Sequence, residues 1–244
     1  LGLNRILESL NRLEYLTDLK LPPDAAGDGS QCKFNPGCWP SQLAHLQLSL
    51  KMCKHTGWWD ELFESFPTTL ETLIIPNCYS YDPFWNFRDL REFATSIKRL
   101  EIGTPLVDLE LLPLHQVISR FPSLTMLTLP VTISWREEGD IGGLSGSPSL
   151  DDIAKGSLLE VLTFSRPLLP LGFGFGDAHT MDIELLRAVV TRFPLLQRVN
   201  VPNEAVDLAD EAEMTKLSEV LEERAPSDKI HSAGIFTYSE GLSR

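Results

Sequence analysis

Positive charge is scarce in this sequence. Against 34 Asp and Glu side chains stand only 21 Lys and Arg, a net charge of −13 over 244 residues. Such a surface repels polyphosphate unless one face is locally basic, and the order of residues shows no such face, so nucleic acid is not an expected partner. Long apolar runs are missing as well. A membrane helix needs roughly 20 consecutive apolar residues, and no stretch approaches that, so no membrane partner is expected. The charged start, apolar core and small-residue cleavage site of a secretory signal are absent, as is any Asn-x-Ser/Thr glycan acceptor. The expected location is intracellular, cytoplasmic or nuclear.

Cysteine is sparse, at positions 32, 38, 53 and 78. Cys32, Cys38, Cys53 and His55 are the residue types of a structural zinc site, but the tight two-residue knuckles that preorganise such sites are missing. No metal is expected. Reduced thiols are the default inside a cell, with Cys78 beside a strand end. Catalytic signatures are equally thin. Gly172-Phe-Gly-Phe-Gly176 has no Lys or Ser/Thr for a phosphate-binding loop and no strand–helix setting for a dinucleotide turn. The Gly142-Gly-Leu-Ser145-Gly146 run has no strand feeding into it, which a nucleophile elbow requires. Asp177 and His179 are the residue types of an acid–base pair, but no nucleophile is fixed near them in the sequence, and they read as a solvated loop pair. No catalytic residue and no cofactor is expected.

What is present is a repeat. Leu70, Leu73 and Ile75 set a three-then-two apolar spacing that recurs at Leu16/Leu19/Leu21, Leu43/Leu46/Leu48, Ile97/Leu100/Ile102, Leu124/Leu127/Leu129, Leu159/Leu162/Phe164 and Leu196/Val199/Val201. Positions 16, 43, 70, 97 and 124 lie 27 residues apart each time, after which the steps widen to 35 and 37. A fixed period in that range marks a stacked array, and a solenoid accommodates surplus residues as surface loops. The last two apolar positions of each unit, two apart, point to one side of an extended chain and the residue between them to the other, which makes a short strand. Aromatic–Pro pairs at Trp39-Pro40, Phe66-Pro67, Phe121-Pro122 and Phe193-Pro194 close the helical stretches before the strands, because proline disfavours helical geometry in the residue preceding it. Segments 59–66, 85–94, 111–121 and 183–193 fit those helices, with Ile183, Leu186, Val190 and Phe193 forming the clearest stripe.

The pattern resembles the leucine-rich repeat family. The period near 27 and the Leu-Ile-Ile-Pro-Asn-Cys end of one unit are most similar to the repeat regions of F-box proteins, especially fungal ones. The family often places Asn or Cys three residues after the last strand leucine; only Cys78 complies, with Asp24, Lys51, Pro105, Thr132, Pro167 and Glu204 at the other equivalent places. The resemblance implies an α/β horseshoe solenoid with a parallel sheet on its concave side and helices on its convex side. It covers residues 1–244 as one domain of about seven repeats, with loop insertions near 131–157 and 165–181 and a C-terminal cap at 205–244. In the cap, Leu208, Ala212, Leu217 and Leu221 are expected to face the array and the acids between Glu204 and Glu223 to face solvent. The alternative is an acidic docking helix. Leu1 is not a methionine and Leu3, Ile6, Leu7 and Leu10 already form a helical stripe, so the sequence reads as an excerpt of a longer protein.

The expected binding surface is the row of strand residues that point away from the core. One column is Lys20, Gln47, Ile74, Glu101, Thr128, Thr163 and Asn200; the other is Asp18, His45, Thr72, Arg99, Met126, Val161 and Arg198. Seven strands about 4.8 Å apart give a face on the order of 30 Å, suited to a protein or peptide. Trp135 in the first insertion and Phe173 and Phe175 in the second are further candidate anchors. By resemblance, a missing N-terminal F-box docks on the adaptor of a cullin-RING ubiquitin ligase while this non-catalytic domain recruits the substrate. Two other readings stand beside it: a leucine-rich repeat scaffold unrelated to ubiquitination, and a hydrolase formed by the insertion loops.

Overall fold

A computed structural model describes residues 6, 9–21, 37–48, 50–51, 64–79, 96–105, 114, 117–118, 121–130, 154–165, 183–201 and 211–224. The chain packs as two compact units, Leu1–Glu110 with Arg120–Ser123, and Leu111–Ser119 with Leu124–Arg244. In the first unit the strands are β1 (Asp18–Leu21), β2 (His45–Leu48), β3 (Leu50–Lys51), β4 (Thr72–Tyr79) and β5 (Arg99–Pro105). In the second they are β6 (Met126–Pro130), β7 (Val161–Ser165) and β8 (Arg198–Asn200), with helices α1 (Ile183–Arg192) and α2 (Glu211–Arg224). Every pairing within a unit is parallel, the arrangement expected of an α/β repeat array.

In the first unit the register follows the repeat. Leu19 lies beside Leu46, Leu46 beside Leu73 and Leu73 beside Leu100. In the second, Leu127 lies beside Leu162 and Leu162 beside Val199. Burial follows the same period. All three apolar positions of the repeats from Leu43 onward are at most 2% exposed, and Leu21 is buried, while Leu16 and Leu19 are half-buried. The difference has a plain cause, since among the described residues β1 pairs on one side only, with β2. Each fully buried Leu or Val contributes about 1.5–3 kcal/mol relative to exposure, so the period is also the main source of stability.

Backbone bonds fix where each strand starts. The amide of Leu43 donates to the Pro40 carbonyl at 3.1 Å, that of Leu70 to the Pro67 carbonyl at 3.0 Å and that of Leu196 to the Phe193 carbonyl at 3.3 Å, so the residues after each aromatic–Pro pair form a tight turn into the strand. One carbonyl then receives two amides from the following repeat: Ala44 and His45 donate to Thr17, Glu71 and Thr72 to Ala44, and Lys98 and Arg99 to Glu71. Hydroxyls reinforce the same turns. Thr69 Oγ1 donates to the Leu43 carbonyl at 2.8 Å and, one repeat on, Ser96 Oγ donates to the Leu70 carbonyl at 2.8 Å.

Two sequence expectations change here. Strands β4 and β5 are eight and seven residues long rather than short, because β4 runs through Pro76 and keeps its pairing to Cys78. Proline donates no ladder bond, and Gly103 between the flanking pairs lets the two backbones close together there. In α2 the buried side chains are Met214, Leu217 and Leu221, and Ala212 is exposed. At 100° per residue, Ala212 lies about 200° from Met214, on the far side of the helix. Leu208 lies outside the described residues, as does the strand expected at 234–238.

Helices α1 and α2 pack in the second unit through more than apolar contact. Leu186, Val189 and Val190 of α1 are buried, as is Phe193 just beyond its end. Arg224, the last residue of α2, donates from Nη1 to the carbonyls of Val190 at 2.7 Å and Phe193 at 2.9 Å. Carbonyls at a helix C-terminus have no intrahelical donor, and a cation also complements the negative end of the helix dipole. Arg224→Ala should therefore lower stability by about 1.5–3 kcal/mol, whereas Arg224→Lys should recover part of it; a urea midpoint for Arg224→Ala equal to wild type would contradict the capping role.

Candidate protein-recognition faces

Alternation along the strands sends the residues between the buried positions outward, and the register aligns them from strand to strand. On the first unit, Asp18, His45, Thr72 and Arg99 form one column, and Lys20, Gln47, Ile74 and Glu101 the next. Asp18, Lys20, His45 and Arg99 are exposed; Gln47, Thr72, Ile74 and Glu101 are half-buried. On the second unit the columns are Met126, Val161 and Arg198, then Thr128, Thr163 and Asn200. Met126 is exposed and the other five are half-buried. Within each unit the structure thus brings together the strand residues that the period nominates. Trp135, Phe173 and Phe175 lie outside the described residues, as do Asp177, His179, Cys32, Cys53 and His55.

The first unit's face carries an ion pair. Arg99 lies 3.5 Å from Glu101, two residues along the same strand and so on the same side. At its margin Lys98 Nζ donates to Glu71 Oε1 at 2.6 Å, joining equivalent positions of neighbouring repeats, and this bond holds the Glu71 carboxyl below its ordinary pKa. On the second unit Asn200 Nδ2 donates to Thr163 Oγ1 at 2.8 Å across adjacent strands. These pairings depend on which residue types happen to be neighbours, and a period read for apolar positions does not disclose them.

Sequence reasoning also missed Leu158 and Leu195, which are 47% and 45% exposed. Both stand immediately before the first leucine of their repeats, where Thr69 and Ser96 carry hydroxyls in the first unit. The signal was available, because those positions share one place in the repeat.

Away from the faces, Glu213 of α2 accepts from Lys216 at 3.2 Å and from Arg187 of α1 at 3.0 Å. Lys216 first and Arg187 second hold its carboxyl below the ordinary range. A carboxylate with a depressed folded-state pKa binds its proton less readily when folded, so its stabilising effect is present above the unfolded-state value and fades as pH falls through the folded one. Glu213→Gln should therefore lower the urea midpoint at pH 6 and make progressively less difference below about pH 4. A pH-independent gap between the two proteins would remove Glu213 from that role.

No family model and no curated protein matches the chain. Among the described residues no helix is long and apolar enough to cross a membrane, and no group of three or more His, Cys, Asp or Glu side chains is placed to hold a metal ion.

Proposed function

We propose that both units are built of leucine-rich repeats and that the chain is a non-catalytic protein-recognition domain, the substrate-recruiting part of an F-box-type ubiquitin ligase. The observation that carries the recognition reading is the in-register alignment of outward strand residues. Lys20, Gln47, Ile74 and Glu101 run across four strands of the first unit, and Thr128, Thr163 and Asn200 across three of the second. Four strands about 4.8 Å apart set the two ends of a column roughly 14 Å from each other, the reach of four or five extended peptide residues. The sides of a buried repeat core are thereby turned into rows of mixed polar and apolar groups, which suits a protein surface better than a small metabolite. Support for the ligase role comes from the F-box-like repeat pattern in the sequence. In that role the adaptor of a cullin-RING ligase is held by an F-box outside this chain, in the cytoplasm or nucleus.

Affinity purification of the full-length protein from its own cells, read by mass spectrometry, tests both parts. The cullin-RING adaptor should be recovered together with a protein that Ile74→Arg or Thr163→Arg eliminates and that Lys155→Glu, an exposed position off the strands, leaves in place. Clean recovery without the adaptor would remove the ligase assignment. Retention of every partner by both face variants would remove the recognition role.

A further inference from the structure

The second unit's face differs from the first in its charge. Of Met126, Thr128, Val161, Thr163, Arg198 and Asn200, only Arg198 is ionised, in a chain whose acids outnumber its bases by 13. Arg198 is half-buried and forms no ion pair or side-chain hydrogen bond with any described residue. Glu160, the nearest acid by register, precedes Val161 on the neighbouring strand; its carbonyl accepts the Arg198 amide at 3.1 Å, but no ion pair joins the two side chains. Beside Arg198 the donors continue. Asn200, two residues along β8, spends an Nδ2 hydrogen on Thr163 Oγ1, so the Thr163 hydroxyl accepts there and its own hydrogen is left for another acceptor.

We propose that this face recognises an acidic segment of a protein partner, with the Arg198 guanidinium taking a side-chain carboxylate and Thr163 donating beside it. This rests on the recognition reading above and names the chemistry of the partner. A planar guanidinium with fixed donors matches a carboxylate in a two-bond fork. In a strongly acidic chain, a half-buried arginine whose side chain has no partner among the described residues is a local exception to the repulsion that such a segment otherwise meets. Two strands away in register, exposed Met126 offers an apolar contact about 10 Å from Arg198, the span of three extended residues. The preferred segment therefore carries an acidic and an apolar residue about three positions apart.

The test selects 12-residue peptides from a random display library on the full chain, then measures one synthesised winner by fluorescence polarisation. Winners should be enriched in Asp or Glu, and changing the key acid to its amide should weaken binding at least tenfold. In Arg198→Ala the acid and amide peptides should bind alike, whereas Arg198→Lys should keep part of the discrimination. Far-ultraviolet circular dichroism confirms that each variant is folded. Winners without an acidic preference, or an acid preference that survives in Arg198→Ala, would overturn this assignment while leaving the recognition role standing. A phosphoserine version that binds more tightly than the aspartate peptide would overturn the carboxylate assignment. Failure to select any peptide on the wild-type chain would count against both.

Discussion

Trp39→Ala should destabilise the first unit by about 3–5 kcal/mol, the range for deleting a large aromatic from a packed core. Trp39 is 2% exposed, its Nε1 donates to Ser65 Oγ at 2.8 Å, and its ring lies 5.6 Å from that of Phe66 with the planes tilted by 57°. Phe66 is the equivalent residue one repeat later, 27 positions on. The aromatic of an aromatic–Pro pair is therefore more than the last residue of a helical stretch, since it ties successive repeats together behind the strands. Removal opens a cavity and also withdraws the donor from buried Ser65. A change of this size lowers the melting temperature by roughly 10 °C in a chain of this length. Trp39→Phe separates the two effects, because it keeps most of the ring and loses the Nε1 bond, worth about 1 kcal/mol. Thermal unfolding followed by circular dichroism reads both variants. If Trp39→Ala melts within a degree or two of wild type, the aromatic contact between repeats is not the support described.

Gly103→Ala should be nearly as damaging, at about 3 kcal/mol, the upper end of the usual range for overpacking. A Cβ at position 103 would overlap the carbonyl oxygen of Pro76 on the neighbouring strand. The pairs on either side, Ile75 with Ile102 and Asn77 with Thr104, hold the two backbones in register. Neither backbone can turn aside as the end of a flexible side chain would, so the added methyl must push β4 and β5 apart. Loss of the pairing beyond Ile102 is the expected structural consequence. Urea denaturation of the full chain should show a lower midpoint, and hydrogen exchange should show faster exchange at Thr104. A Gly103→Ala protein as stable as wild type would mean that β4 and β5 do not approach so closely at Pro76.

These two residues show what a sequence reading of this chain can reach. The buried spine was readable because burial imposes a spacing: Leu46, Leu73, Leu100 and Leu162 could not be polar without placing uncompensated groups in the core, so their period survives in the amino-acid order. The outward columns follow from the same spacing by alternation. Trp39 was read only as a helix stop, since the proline after it explains the local chain and says nothing of a ring one repeat away. Gly103 drew no notice, because the need for glycine there arises from the backbone of a different repeat. The apolar side of α2 was misplaced by one choice of residues. Ala212 fits a loose stripe of small apolar positions, but Met214 has the 3-and-4 spacing with Leu217 and Leu221 and the larger side chain to bury. By sequence alone Arg198 is one polar strand residue among many. That its side chain pairs with no acid among the described residues depends on the neighbouring strand, which the order of residues does not disclose.

The candidate faces depend most on register. Because side chains alternate along a strand, a slip of one residue would bury Gln47 and Thr163 and turn Leu46 and Leu162 outward. Nuclear Overhauser contacts between backbone protons, measured on the deuterated full chain, test this directly. Parallel contacts should set Gln47 beside Ile74 and Thr163 beside Asn200. Antiparallel contacts, or parallel ones shifted by a single residue, would contradict it.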